Sequence, residues 1–167
     1  MKTILLIKLG VVFLFTAATG ILSASPDDFA GTWILDKEKS SGATDKSASK
    51  IEVKVSKKQM KIVYINEGQE PTSALYNLKG STTTDKQNEK LFIVIIKRQL
   101  RLVENGEALE LTSHYEYKGK DLGGGTTVTI TTPPTTYSKI WRLQNEGKVL
   151  LIQDGQAESA KLVYNRQ

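Results

Sequence analysis

The chain of 167 residues contains no cysteine, and aromatic residues make up only 7% of it. The absence of cysteine excludes a disulfide framework and a lipid-modified cysteine at a signal-peptide junction. No asparagine begins an Asn-x-Ser/Thr glycosylation site. His114 is the only histidine, and no acidic cluster has the spacing of a calcium loop. The sequence therefore predicts neither a metal site nor a cofactor.

Residues 1 to 25 have the pattern of a secretory signal peptide. Lys2 and Lys8 supply the positive end, an apolar run covers residues 9 to 18, and Ser23-Ala24-Ser25 forms a small-residue exit. The apolar run is shorter than the roughly 20 residues of a membrane-spanning helix. We therefore predict a cleaved Sec-type leader, no membrane span after cleavage, and a secreted or periplasmic protein.

Residues 26 to 167 are expected to form one domain with a single core. The leader takes two of the 23 basic residues and none of the 18 acidic ones, so the mature net charge is +3. Its lysines are scattered along the chain, and neither feature indicates a nucleic-acid partner.

Alternation of apolar and polar residues dominates the mature chain, whereas helical spacing is absent. The alternating runs are residues 51 to 55, 60 to 64, 109 to 117, 128 to 130 and 137 to 143. Turn residues separate strands of about five to ten residues. Counting between the turns predicts an all-β fold, a single up-and-down antiparallel β-barrel of eight to ten strands, because closure of a meander removes exposed edges.

Two segments depart from alternation. Residues 37 to 50 are small and polar, which predicts a long surface loop after the first strand. Residues 91 to 97 (LFIVIIK) are apolar without alternation, which indicates a strand covered on both faces or one on which another surface docks.

The motif Phe29-Ala30-Gly31-Thr32-Trp33 stands where the first strand is expected. Gly31 would allow close approach of the chain, and the indole of Trp33 is large enough to close one end of a barrel. This Gly-x-Trp resembles the first strand of the lipocalins and fatty-acid-binding proteins, the calycin superfamily. The final segment, residues 161 to 167 (KLVYNRQ), resembles the last strand of fatty-acid-binding proteins and of exported bacterial lipocalin-like domains.

The resemblance implies further features. Lipocalins pack a basic side chain over the motif tryptophan, a role open here to Lys161, Arg166 or Arg142. Fatty-acid-binding proteins bind a carboxylate with Arg-x-Tyr on the last strand, where this chain has Leu162 and Tyr164.

Six aromatic residues fall on the presumed inward faces of strands, where they could line a ligand cavity or simply pack the core. They are Tyr64, Phe92, Tyr115, Tyr117, Trp141 and Tyr164. His114 falls on the solvent face without a catalytic partner set, Gly123-Gly124-Gly125 is interpreted as a hairpin tip, and the basic run Lys97, Arg98 and Arg101 is interpreted as a solvated turn or edge.

The sequence thus favours a non-enzymatic, extracytoplasmic lipocalin-like protein that binds a small hydrophobic or amphipathic ligand. The alternative is a barrel filled by its own side chains that serves as a structural or protein-interaction module of the cell envelope, docking through residues 91 to 96. An enzyme acting on a bound small molecule is a third hypothesis. The oligomeric state stays open.

Overall fold

The computed structural model describes residues 24–155 and 161–167. Of the predicted signal peptide, only Ala24 and Ser25 fall within these residues, so the prediction of a leader lies outside the described chain. Among the described residues, no helix combines the length and the apolar character needed to cross a membrane.

Ten antiparallel strands form one sheet, which confirms the predicted all-β barrel. The strands are β1 (Gly31–Leu35), β2 (Lys50–Val55), β3 (Gln59–Ile65), β4 (Thr72–Asn77), β5 (Thr83–Asn88), β6 (Phe92–Val103), β7 (Ala108–Gly119), β8 (Thr135–Gln144), β9 (Val149–Asp154) and β10 (Lys161–Arg166). Their order in the sheet is β4-β3-β2-β1-β10-β9-β8-β7-β6-β5. Every neighbour but one is also a neighbour in sequence, and β1 pairs with β10 to bring the two ends of the chain together.

The barrel is nearly closed. In the described residues no ladder joins the end strands β4 and β5, yet the Thr83 hydroxyl on β5 donates a hydrogen bond to the carbonyl of Leu75 on β4 at 2.7 Å. β5 has the sequence TTDKQN, without an apolar side chain to bury, and its register is set by its ladder with β6. The gap therefore lies beside the most polar strand.

One end of the barrel is closed by aromatic side chains, which together form the floor: Phe29, Trp33 and Trp141. All three are fully buried, and the rings of Phe29 and Trp141 lie 6.5 Å apart. Phe29 ends a short 3-10 turn (Pro26–Phe29) that Ser25 caps through a capping box. The Trp33 indole N–H donates to the Phe29 carbonyl at 3.0 Å, which fixes the turn beneath the first strand.

Arg166 is the basic side chain over the motif tryptophan. Its guanidinium lies 4.5 Å from the centre of the Trp33 ring, and it also donates a hydrogen bond to the carbonyl of Asp28. Arg142, another candidate, instead pairs with Glu104. The last strand therefore covers and stabilises the floor through Arg166.

Gly31 has a different role from the one expected. A Cβ there would meet only the Nε of Arg166 at 3.9 Å, an ordinary contact, whereas its φ of +139° favours glycine. The close approach occurs at Gly119, where a Cβ would lie 1.7 Å from the carbonyl oxygen of Val128.

Two further expectations are corrected. Val128 and Ile130 do not belong to a strand, since only an isolated bridge, Asp121 to Thr127, forms there. β8 reaches β7 only from Thr135 onward, so residues 128 to 130 have no ladder to join. The loop between β1 and β2 is present but not wholly on the surface, because Ala48 is buried and its carbonyl accepts a hydrogen bond from the Tyr164 hydroxyl at 2.9 Å.

Candidate ligand-binding cavity

A cavity of about 630 Å³ lies inside the barrel. Its wall comes from strands around the barrel and from the loop between β1 and β2, which contributes Thr44, Lys46, Ser47 and Ala48. The volume is within the range of about 300 to 1,000 Å³ that small-molecule sites occupy. It opens to solvent, since Tyr137 in its wall is 56% exposed.

The apolar part of the wall adjoins the floor. Ile152 is the ladder neighbour of Trp141, and Leu111 follows Leu109, which pairs with Trp141 on the other side. Further apolar wall residues are Ile51, Ala74, Ile96 and Leu162. These aliphatic side chains leave room for the cavity next to the floor, whereas the indoles of the floor fill the end of the barrel.

Polar side chains form a band across neighbouring strands. Arg98 on β6, Ser113 on β7 and Tyr137 on β8 are successive ladder partners, and all three line the cavity. From β4, on the other side of the gap, the Tyr76 hydroxyl lies 3.4 Å from the Ser113 hydroxyl. The cavity thus has hydroxyl groups and a guanidinium close to an apolar wall.

Arg98 is the buried charged residue of this band. Only 6% of its surface is exposed. Its guanidinium Nη1 lies 3.7 Å from a carboxylate oxygen of Asp85, beyond hydrogen-bond distance, and Asp85 itself is half-exposed. Within the described chain this ion pair is the only polar contact that the guanidinium makes. Several of its N–H donors are therefore available to the cavity.

Lys139 supplies a second cation in a different setting. Solvent in the open cavity reaches its side chain, yet protein atoms surround the ammonium, whose Nζ lies 5.8 Å from the centre of the Tyr64 ring. Desolvation lowers the pKa of Lys139, and the charge of Asp154, its ladder partner on β9, partly opposes this shift. Its cation therefore already has a nearby carboxylate.

Burial raises the pKa of three phenols around the cavity. Burial raises the pKa of Tyr164 to about 12 and raises that of Tyr64 further. Burial also raises the pKa of Tyr76, while its hydrogen bond with Ser113 and the charge of Arg98 lower it in part. The same charge acts on Tyr64, so the guanidinium lies within electrostatic reach of both hydroxyl groups.

The structure brings three of the six predicted aromatic residues to the cavity. Tyr64, Tyr115 and Tyr164 line it, whereas Trp141 belongs to the floor. Phe92 and Tyr117 contact each other edge to face, with ring centres 6.2 Å apart. Neither is among the described residues that line the cavity. Both are at inward positions, Phe92 at the start of β6 and Tyr117 near the end of β7. An inward position on a strand is therefore not sufficient to place a side chain in the cavity wall.

Four residues that line the cavity are not among the six predicted aromatic residues. Tyr76 and Tyr137 are aromatic residues on inward positions, and alternation along β4 and β8 is the signal that finds them. Arg98 and Lys139 are charged residues at inward positions of β6 and β8. A charge that interrupts an inward apolar row is the signal for such residues. Because Arg98 is buried and lines the cavity, its interpretation as part of a solvated turn or edge is wrong.

The other candidates lie away from the cavity. Lys97 and Arg101 point outward and form ion pairs with Glu116 and Glu110 at 2.5 and 2.9 Å. His114 is also on the outer face, with its Nδ1 2.8 Å from the Thr136 hydroxyl, which agrees with its predicted side. Gly123, Gly124 and Gly125 all have positive φ in the connection between β7 and β8, so the hairpin-tip interpretation agrees with their backbone.

The apolar segment 91 to 97 is explained by its two faces. Val94 and Ile96 are buried inside the barrel. Ile93 and Ile95 point outward and are half-buried, with Lys118 and Glu116 as their ladder neighbours on β7.

No protein-family model, curated protein or solved structure matches the chain. The lipocalin-like resemblance therefore continues to rest on Gly31 and Trp33 and on the final segment.

Proposed function

We propose that the protein binds a small hydrophobic or amphipathic molecule inside its barrel, as a non-catalytic, extracytoplasmic lipocalin-like protein. The cavity of about 630 Å³ is the observation that carries this proposal. Burial of apolar ligand surface against its wall supplies roughly 25 cal/mol per Å². The cavity favours this hypothesis over a barrel filled by its own side chains.

The extracytoplasmic location is supported by the leader pattern of residues 1 to 25. The lipocalin-like affiliation is supported by the Gly-x-Trp motif together with Arg166, which stacks on Trp33 as the resemblance implies. The non-catalytic assignment follows the sequence, because the only histidine, His114, lies on the outer face away from the cavity.

The test uses N-phenyl-1-naphthylamine, a neutral apolar dye whose emission rises in apolar surroundings. Trp33 and Trp141 are fully buried in the floor, so an added dye reports on the cavity more directly than tryptophan fluorescence. We expect a saturable signal with the wild-type protein. Ala74→Phe places a ring in the cavity and should weaken dye binding by about tenfold or more.

Leu75→Phe is the matched control, because it adds a ring at the neighbouring position on the outer face of β4. Circular dichroism verifies that both variants fold. A dye signal that does not saturate, or one that Ala74→Phe leaves unchanged while Leu75→Phe reduces it, would contradict binding inside the barrel.

A further inference from the structure

Arg98 is expensive to bury without a partner. An arginine stays charged at any physiological pH, and an arginine taken out of water needs hydrogen-bonding partners for its five N–H donors. Here the whole residue is 6% exposed, and the single ion pair of the guanidinium in the described chain spans 3.7 Å to the half-exposed carboxylate of Asp85. The fold alone therefore leaves this charge poorly compensated.

The surroundings of Arg98 are suited to an oxyanion. A guanidinium presents parallel N–H donors that match the two oxygens of a carboxylate. Ser113, its ladder partner, and Tyr76 place two hydroxyl groups on the same band, and both phenol and alcohol can donate to an anionic oxygen. A phenol is ordinarily protonated at neutral pH, and burial raises the pKa of Tyr76 further, so its hydroxyl is available as a donor.

The apolar wall lies close to this band. Ile96 precedes Arg98 on the inward face of β6, and Leu111 precedes Ser113 on that of β7. A molecule with an anionic end at Arg98 can thus place its hydrocarbon part against the apolar wall without leaving the cavity.

We propose that Arg98 binds the carboxylate of an amphipathic ligand, with Ser113 and Tyr76 as additional hydrogen-bond donors. This inference rests on the proposed function and specifies its ligand class as a monocarboxylate with an apolar chain. Lys139 is a weaker candidate for the same role, because solvent reaches it and Asp154 stands opposite it in the ladder. Arg98 also lies on β6, away from the last-strand positions of Leu162 and Tyr164.

The experiment compares dodecanoate with dodecan-1-ol, which share a chain and differ in the charged group. Each is titrated as a competitor of N-phenyl-1-naphthylamine against the full-length mature protein at neutral pH. We expect dodecanoate to bind at least about tenfold more tightly than the alcohol. Arg98→Met should remove this preference, so that the ratio of the two affinities falls to about one.

Two variants test the assignment independently of Arg98→Met. Lys139→Met removes a second cation of the cavity wall and should preserve most of the preference. Asp85→Asn removes the carboxylate that competes for the guanidinium, so the affinity for dodecanoate should rise while that for the alcohol stays constant. These two variants keep the test decisive if Arg98→Met does not fold.

The outcomes separate the two proposals. Equal binding of dodecanoate and dodecan-1-ol by the wild type would overturn the carboxylate site while leaving the barrel a binding protein. Displacement by neither, together with no saturable dye signal, would overturn the proposed function itself. Loss of the preference in Lys139→Met but not in Arg98→Met would show that the wrong cation has been assigned.

Discussion

The floor and the cavity wall are built from the same alternating strands but differ in the partners that their polar side chains have within the protein. In the floor, the Trp33 indole donates to a carbonyl and its ring is covered by Arg166, which has a hydrogen bond of its own. In the wall, Arg98 is also buried, with 6% of the residue exposed, yet its guanidinium has only a long ion pair within the described chain. The floor thus pairs the Trp33 indole and the Arg166 guanidinium internally and leaves only the neutral Trp141 N–H without an acceptor among the residues described, whereas the charged guanidinium in the wall has donors left over.

This difference separates stability from binding. Side chains with good internal partners lower the free energy of the folded state, whereas a buried cation without them raises it. A cavity above a packed floor can therefore carry poorly compensated groups, because the floor and the ladders maintain the barrel. The predictions below test this division, beginning with the largest expected effect.

Trp33→Ala should destabilise the protein by about 3 to 5 kcal/mol, because it empties a fully buried site and removes the ring on which Arg166 stacks. Tyr137→Ala deletes an aromatic ring from the cavity wall, where 56% of the residue is exposed, and should cost less than about 1 kcal/mol. Urea unfolding followed by far-UV circular dichroism measures both losses. Equal losses would mean that floor and wall do not differ in their contribution to stability.

The two tryptophans of the floor allow a finer comparison. The Trp33 N–H is hydrogen-bonded at 3.0 Å, whereas the buried Trp141 N–H finds no acceptor among the residues described. Trp33→Phe leaves the Phe29 carbonyl without this donor, while Trp141→Phe removes an unpaired N–H. We expect Trp33→Phe to cost about 1 kcal/mol more, measured by the same urea unfolding. A larger loss for Trp141→Phe would indicate that its N–H has a partner, such as a buried water.

The floor is the part of the molecule that sequence patterns identify best. Gly31 and Trp33 form a local motif, and alternation in β2, β3 and β7 fixes which residues face inward. Alternation does not predict β5, because its side chains are polar on both faces. Only its ladder with β6 makes it a strand. Residues 128 to 130 show the reverse case, since alternation without a neighbouring strand produces no ladder.

The cavity is less accessible from the sequence. Tyr115 and Tyr117 are both inward residues on β7, yet only Tyr115 lines the cavity, because position along the barrel axis depends on strand tilt and register. Arg98 follows Lys97 in a basic run that, read alone, has the pattern of a solvated turn or edge. Its inward position becomes evident only when Val94, Ile96 and Leu100 are recognised as one buried row.

Lys139→Met should have the smallest effect, and its pH dependence tests the cavity side of the comparison. Burial lowers the pKa of Lys139 below the ordinary value of 10.5, so the unfolded chain binds this proton more tightly than the folded protein. Stability therefore rises with pH between the lowered pKa and 10.5, and below this window the wild type carries the full cost of the charge.

The variant lacks this cost, so it should be more stable than the wild type at pH 7, with a difference that shrinks as the pH rises through that window. Other lysines and the tyrosines titrate in both proteins and largely cancel in the difference. Lys97→Met is the control, because the Lys97 ammonium is ion-paired with Glu116 on the outer face and its removal should bring no gain. Urea unfolding at a series of pH values measures both variants. A gain that stays constant from pH 7 to above 10.5 would mean that Lys139→Met acts through its methylenes and thioether, and that the cavity wall does not disfavour the lysine charge.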